Sequence, residues 1–159
     1  SLAYLCGLLH NFGLLLTGHL FPAEFDELNR LRAANPDVSM KALEQQVFGA
    51  SAEQEMLTIG HGVIGGILLK LWQLPAAVIK AAGVHQQLRY QGEHRTYVLM
   101  VQLANGLLKE KGVGDEFNPD DLAELGSQLG LPPGHIDQLR EEVDQVAEDL
   151  DSRARSLSS

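Results

Sequence analysis

The sequence contains little cysteine and few basic residues for its 159 residues. Its single cysteine, Cys6, excludes a disulfide framework and is typical of a protein kept in a reducing cytoplasm. Only 12 lysines and arginines accompany 21 acids, for a net charge of -9, so a basic surface that neutralises phosphates is missing and we predict no nucleic-acid partner. No apolar run reaches the ~20 residues that span a bilayer, so we predict no membrane association.

Apolar residues recur at helical spacing along nearly the whole chain, and no segment alternates as a half-buried strand does. The predicted fold class is therefore all-α. Prolines, capping side chains and glycines indicate where the helices begin and end. The predicted helices cover residues 2–16, 22–34, 39–48, 52–72, 75–88, 93–111, a segment that starts at 118–121, and a segment from 135 to about 150.

The acidic residues are concentrated near one end of the chain. Residues 115–151 hold twelve of the 21 acids and one base, Arg140, whereas residues 1–114 carry equal numbers of acids and bases. A chain with 45% hydrophobic residues and this length can bury a sizeable core without a disulfide or metal. We predict a helical core over 1–114, acidic helices over 115–151 packed on the same domain, and a polar tail over 152–159.

The first predicted helix is apolar on almost every side. A helix of that kind must be covered all round. We therefore expect the chain to be the C-terminal portion of a longer polypeptide whose earlier helices pack on this one.

Four predicted helices carry one polar residue inside an apolar stripe, namely His10, His61, His85 and Asn105. Each one alone is typical of a hydrogen-bonded core residue. Each would cost about 1–3 kcal/mol if buried without a partner, so burial is cheapest where the four meet. With Asn11 beside His10, they predict a shared polar cluster of the kind that holds a metal or a phosphate group.

The predicted cluster contains histidines and amides but no carboxylate. A divalent metal site for phosphoester hydrolysis uses carboxylates to neutralise the ion and to hold a water. Coordination by histidine alone stays open for a transition metal. Hydrolysis by this cluster is disfavoured.

Residues 60–65 read Gly-His-Gly-Val-Ile-Gly and match the GxGxxG pattern. A dinucleotide site needs this pattern between a strand and a helix, with an acid about 20 residues further on. Here the pattern lies inside a helical segment, so we interpret Gly60, Gly62, Gly65 and Gly66 as positions where another helix approaches closely. We interpret Cys6 as inert packing in the first helix.

Four segments resemble the HDOD domain, a degenerate relative of the HD superfamily of metal-dependent phosphohydrolases. Residues 3–15 are similar to its GLLHDIG helix, residues 55–75 to its E…G.dH..vGa.Ll..W.LP stretch, and residues 81–86 to its aI..HH ending. Residues 101–105 correspond to the helix that carries the last superfamily aspartate. The resemblance implies an all-helical fold whose first half precedes Ser1.

This chain departs from the catalytic superfamily at three positions. It has His10-Asn11 in place of His-Asp, Asn105 in place of the final aspartate, and Gln86 in place of the second histidine of a pair. Both metal-binding carboxylates are thus amides, and we expect no nearby acid to replace them. The resemblance implies a non-catalytic bacterial signalling module, a kind of domain often fused to receiver, cyclic-dinucleotide-related or kinase domains.

We therefore expect a cytoplasmic signal-transduction module that acts through protein interaction or ligand sensing, without hydrolysis. We expect no catalytic residue, no cofactor and no bound metal, with a vestigial pocket formed by His10, Asn11, His61, His85 and Asn105. The expected partners are other signalling domains, including ones fused before Ser1. One alternative is a residual metal-dependent phosphohydrolase that uses the three histidines and ligands from the preceding part, and another is a purely structural scaffold.

The last predicted helix carries an apolar stripe with heptad spacing, formed by Ile136, Leu139, Val143, Val146 and Leu150. Fewer than three heptads is short for an independent coiled coil, so the first interpretation is packing on its own domain. A homodimer or a relay to a neighbouring domain is the alternative. A partner of the acidic surface should be basic, and its binding should weaken with salt.

Overall fold

The computed structural model describes residues 1–48, 60–114 and 121–157. Within these ranges the chain is helical and has no strand, which confirms the predicted all-α class. The described residues form two compact units, Ser1–Gln102 and Leu103–Ser159. The helices are α1 (Leu2–Leu9), α2 (Phe12–Leu20), α3 (Pro22–Ala34), α4 (Met40–Phe48), α5 (His61–Leu71), α6 (Ala76–Val84), α7 (Arg95–Lys109), α8 (Asp121–Gln128) and α9 (His135–Leu157).

The first unit is organised by contacts of α5 with α6, α2 with α5, and α1 with α6. These helices bury one apolar core, formed by Cys6, Leu69, Ala77, Val78, Ala81, Ala82 and Val101. A second core lies where α3 packs on α4 and contains Leu28, Met40, Leu43 and Phe48. Full burial of a leucine or valine side chain stabilises the folded state by roughly 1.5–3 kcal/mol, so these two cores stabilise the packing of the helices in this unit.

Glycines allow the helices of the first unit to approach closely. A Cβ atom at Gly13 of α2 would lie 1.9 Å from the carbonyl oxygen of His61 and 2.7 Å from the nitrogen of Gly65 on α5. A Cβ atom at Gly66 would lie 3.1 Å from the Cα atom of Gly83 on α6. The predicted packing role is confirmed for Gly62, Gly65 and Gly66, which meet the backbone of α6 or α2, whereas Gly60 precedes α5 and a Cβ atom there would meet only side-chain oxygens.

The opening segment forms two helices, so the predicted single helix over 2–16 is wrong. α1 ends at Leu9, and α2 begins at Phe12 with Asn11 as its N-cap residue. The break between them lets α1 pack on α6 while α2 packs on α5. As a result His10 and Asn11 lie at a junction between helices rather than in the middle of one apolar stripe.

α3 and α4 agree with the sequence prediction. α3 has the predicted bounds, Pro22–Ala34. The hydroxyl of Ser39 accepts a hydrogen bond from the backbone nitrogen of Ala42 at 3.2 Å, which makes Ser39 the predicted cap of α4.

The helix predicted over 52–72 is not continuous. Gly60 has a φ of +89°, a backbone conformation incompatible with a right-handed helix, and α5 begins at His61. A helix continuous through Gly60 is therefore excluded, and residues 49–59 lie outside the described ranges.

The helix predicted over 75–88 ends before residue 88 because a side chain of α7 hydrogen-bonds to the backbone oxygens that follow it. α6 ends at Val84. The side-chain amide nitrogen of Gln102, on α7, donates hydrogen bonds to the backbone oxygens of His85 and Gln87, both at 2.9 Å. These carbonyl groups are satisfied without a further helical turn.

The second unit contains the end of α7 together with α8 and α9. α8 packs on α9, where a Cβ atom at Gly126 would lie 2.9 Å from the Cδ1 atom of Ile136. Two nitrogens of Arg140 donate to the carboxylate of Glu110, both at 2.9 Å. The Arg140 guanidinium holds the pKa of Glu110 below its ordinary value, so this carboxylate stays charged near neutral pH.

α9 is longer than predicted, since it continues past residue 150 to Leu157. Ala154 and Leu157 continue its helical apolar spacing, and Arg155 in the last turn complements the helix dipole. The predicted organisation into 1–114, 115–151 and 152–159 stays a prediction, because residues 115–120, at its first boundary, lie outside the described ranges. Across the described residues, no helix combines the length and the apolarity needed to cross a membrane.

The burial of Cys6 gives the first testable prediction. Its side chain lies in the core between α1 and α6, and burial raises the pKa of its thiol. Because the thiolate is the reactive form, Cys6 in the native chain should react with a disulfide reagent at least about tenfold more slowly than in urea. The absorbance of the aromatic thiolate released from an aromatic disulfide reagent measures both rates. Equal rates would contradict the interpretation of Cys6 as an unreactive core residue.

Candidate functional site

Polar side chains from four helix ends meet inside the first unit. His10 follows the end of α1, Asn11 precedes α2, His61 is the first residue of α5, and His85 follows the end of α6. The structure thus brings together four of the five residues predicted to meet. It does so at the termini of helices, where the chain turns and side chains of different helices converge.

His61 is the centre of this cluster. Its Nε2 atom lies 3.2 Å from Oδ1 of Asn11 and 3.3 Å from Nε2 of His85. The ring of His10 approaches the ring of His85 edge to face, with centroids 5.0 Å apart. His61 is only 1% exposed and His85 4%, so these contacts are made away from water, where hydrogen bonds are strengthened.

The orientation of two histidine rings follows from their Nδ1 partners. Nδ1 of His10 lies 2.6 Å from the backbone oxygen of Gly7, and Nδ1 of His85 lies 2.9 Å from that of Ala82. A carbonyl oxygen only accepts, so Nδ1 donates in both rings. The neutral ring of His85 therefore presents Nε2 to His61 as an acceptor.

The cluster contains an acid, Glu44 of α4, so the prediction that no acid lies near it is wrong. Glu44 is 2% exposed, and its Oε1 atom lies 2.7 Å from Nδ1 of His61. The two residues are 17 positions apart in the chain, and only the packing of the unit brings them together. One signal could have indicated this burial, because Met40, Glu44 and Phe48 are spaced by four and share one helix face.

Glu44 also caps α5. Its carboxylate oxygens accept from the backbone nitrogen of His61, the first residue of that helix, at 3.2 and 3.4 Å. A negative charge is favourable at a helix N-terminus, where the backbone N–H groups are unsatisfied. A Cβ atom at Gly60 would lie 3.3 Å from Oε2 of Glu44, so glycine both adopts the positive φ and leaves room for the carboxylate.

Hydrogen-bond partners lie at both ring nitrogens of His61. A carboxylate accepts at Nδ1, and the Asn11 oxygen and His85 nitrogen accept at Nε2. Protons on both ring nitrogens satisfy these acceptors together. His61 is thus tied by hydrogen bonds to the buried Glu44 on one side of its ring and to Asn11 and His85 on the other.

The donor atoms of the cluster do not fit a hydrolytic metal centre. The atoms that face one another, two imidazole nitrogens and the Asn11 amide oxygen, belong to groups without negative charge. The Glu44 carboxylate lies on the opposite side of the His61 ring. Among the described residues, no group of three or more His, Cys, Asp or Glu side chains is arranged to hold a metal ion.

Two further amides are placed by the structure. Asn105 is buried on α7 in the second unit, and its predicted membership in the cluster stays a prediction. Gln86, which stands where the superfamily has a second histidine, is half-buried. Its side-chain nitrogen has no hydrogen-bond partner among the described residues.

The fold and the cluster define a helical domain whose centre contains three histidines, the Asn11 amide and the Glu44 carboxylate. The profile of the HDOD domain matches residues 1–88, more than half of the chain, so the chain belongs to the HDOD domain family. The resemblance seen in the sequence is thereby confirmed.

Two comparisons match this chain to part of a longer protein. It is 28% identical over 104 residues to an uncharacterized protein of Treponema pallidum (strain Nichols), covering 65% of this chain and 18% of the relative. It is similar to the crystal structure of a "Putative signal transduction protein" from Marinobacter aquaeolei VT8, with a TM-score of 0.75 and 26% identity over 99% of this chain and 33% of the other. The chain thus spans at most a third of the relatives it matches.

Proposed function

We propose that this chain is a bacterial signal-transduction module that acts through protein interaction and has no hydrolytic activity. Its membership in the HDOD family and its similarity to the Marinobacter aquaeolei protein support a signalling role. The polar cluster then stabilises the module, because the buried His61 and His85 and the half-buried His10 and Asn11 join the ends of α1, α2, α5 and α6.

The observation that carries the proposal is the position of the Glu44 carboxylate. Glu44 accepts from both the ring and the backbone nitrogen of His61 and so is occupied by structural hydrogen bonds. The other side of the His61 ring meets an amide and a neutral imidazole. A phosphodiester hydrolase needs charge on that side to hold a metal ion and to activate water.

The expected partners are signalling domains, either in other proteins or joined to this one in a longer chain. The fractions of the relatives that this chain covers support the second arrangement. We place the module in the cytoplasm, since its one cysteine is buried as a free thiol.

The test is an assay for hydrolysis by the purified chain. A cyclic dinucleotide and an activated phosphodiester are incubated with the protein and Mn²⁺, Fe²⁺ or Mg²⁺, and product is separated by chromatography. We expect product at the background rate for the wild type and for His61→Ala alike. Metal-dependent turnover that His61→Ala abolishes, in a variant whose circular dichroism still shows the helical fold, would establish the residual phosphohydrolase instead.

A further inference from the structure

The second half of α9 presents an apolar stripe that remains exposed. Residues 144–156 are all exposed, including Val146 at 57% and Leu150 at 60%. The earlier members of the same stripe, Ile136, Leu139 and Val143, are half-buried. The predicted packing of the stripe on its own domain therefore holds for its first half only.

The exposed stripe has the spacing that another helix recognises. Because α9 reaches Leu157, the 3,4 register of the stripe continues past Leu150, where the charged Arg153 takes the next seam position. Ala147 and Ala154 lie beside the stripe and widen it. Residues 144–157 extend over about 21 Å at 1.5 Å per residue, enough for two heptads of side-chain packing.

Ion pairs in the first half of α9 hold the helix on the residues that follow α7. Arg140 pairs with Glu110, and Lys111 pairs with Asp144. These side chains lie on one flank of the stripe, which leaves the other flank, with Glu142 and Asp149, open to a partner. An isolated helix of this length is marginal in water, so a helix anchored at one end gains from a partner at the other.

The charges beside the stripe disfavour a second copy of this chain. In a parallel pair, Glu142 and Asp149 of one helix would face alanines of the other, and Arg153 would face its own copy in the seam. In an antiparallel pair, the acids at 142 and 149 would face the same acids of the other copy. Neither arrangement supplies a pair of opposite charges, and like charges in contact are destabilising.

We propose that residues 143–157 bind an amphipathic helix of a different protein, one with lysine or arginine beside Glu142 and Asp149 and a polar or acidic residue facing Arg153. Such a helix buries Val146 and Leu150 and neutralises the acids that flank them. The inference rests on the proposed role as an interaction module and names the chemistry of its partner. It concerns the second unit and is independent of the cluster in the first.

The test uses two synthetic three-heptad peptides with leucine and isoleucine at the seam positions. One carries lysine at the flanking positions and the matched peptide carries glutamate there. Fluorescence anisotropy with the whole chain should show the basic peptide binding at least about tenfold more tightly, with an affinity that falls as salt is raised. Equal binding of the two peptides, or binding of neither, would overturn the inference.

Three variants locate the binding surface. Leu150→Asp should weaken binding of the basic peptide by at least about tenfold, and Asp149→Lys should shift the preference toward the acidic peptide. Glu148→Lys makes the same change of charge on the opposite face and should alter binding by less than about twofold.

Light scattering should show a monomer, and a dimer that Leu150→Asp dissociates would assign the stripe to a second copy. Hydrolysis is read in a separate assay, so failure of one proposal is distinguishable from failure of the other.

Discussion

Replacing Glu44 by alanine is expected to lower the free energy of unfolding by about 3–5 kcal/mol, the usual cost of removing one member of a buried ion pair. The change removes the partner of Nδ1 of His61 and the acceptor for the first backbone N–H of α5. It leaves an imidazole in a site that is 1% exposed, where water cannot replace the carboxylate. Urea unfolding followed by circular dichroism measures the difference.

The matched control is Gln45→Ala, the next residue on the exposed side of α4, which should change stability by less than about 0.5 kcal/mol. Glu44→Gln keeps the size of the side chain and should be destabilising by less than Glu44→Ala. Hydrogen exchange at the His61 backbone N–H gives an independent measurement and should accelerate in both Glu44 variants. A loss below about 1 kcal/mol for Glu44→Ala, with unchanged exchange, would show that the carboxylate does not hold the cluster.

Replacing Gly13 by alanine is expected to be the most damaging small substitution in the first unit. The added Cβ atom would lie 1.9 Å from the carbonyl oxygen of His61 and 2.7 Å from the backbone nitrogen of Gly65, and neither atom belongs to a flexible side chain. α2 must move away from α5, which disrupts both the helix contact and the hydrogen bond between Asn11 and His61. Overpacking of this kind costs about 1–3 kcal/mol where atoms can shift, and more where backbone opposes backbone.

Alanine substitutions at two other glycines, Gly7 and Gly18, are the controls, and we expect each to lower stability less than Gly13→Ala. A Cβ atom at Gly7 of α1 meets nothing within 4 Å, so Gly7→Ala should stabilise the helix by up to about 1 kcal/mol. At Gly18 the neighbour is the ring of Phe25 at 3.2 Å, a side chain that can rotate, so the loss should be intermediate. Thermal unfolding of the three variants ranks them. Equal stability of the Gly13 and Gly7 variants would contradict the close backbone contact, and an insoluble Gly13 variant beside a soluble Gly7 variant would agree with it.

The cluster explains how a histidine centre is kept without a metal-binding carboxylate. In this chain Glu44 is the partner of one ring nitrogen of His61, and Asn11 and His85 are the partners of the other. A negative residue at position 11 would add a second acid beside the same ring. Asparagine keeps the hydrogen bond to His61 and adds no second carboxylate to the site, where burying a further charge would be costly.

Much of the fold could be predicted from local signals. Pro22 and Ser39 indicated where α3 and α4 begin, because a fixed φ and a capping hydroxyl act within one turn of their own position. The ends at Leu9 and Val84 could not be predicted in this way. They depend on where α2 meets α5 and on the Gln102 amide that captures carbonyl groups from another helix.

The sequence predicted which histidines meet in the site but not which acid lies beside them. A polar residue on an apolar stripe is visible in the sequence, and its need for a partner predicts that His10, His61 and His85 meet. The identity of the partner is not visible, because the shared face of Met40, Glu44 and Phe48 indicates that Glu44 is buried but not which segment it meets. Glu44 becomes a buried counter-ion only through the packing of α4 against the start of α5.

By itself the sequence determined that this protein is all-helical, that His10, His61 and His85 lie toward the interior and that its acids collect near one end, since periodicity and composition are local properties. Only the tertiary structure decided which charge balances His61, where the opening helix breaks and which half of α9 is left exposed. Those features depend on contacts between segments distant in the chain. Such contacts are selected by packing and by the desolvation of polar groups, which no single segment encodes alone.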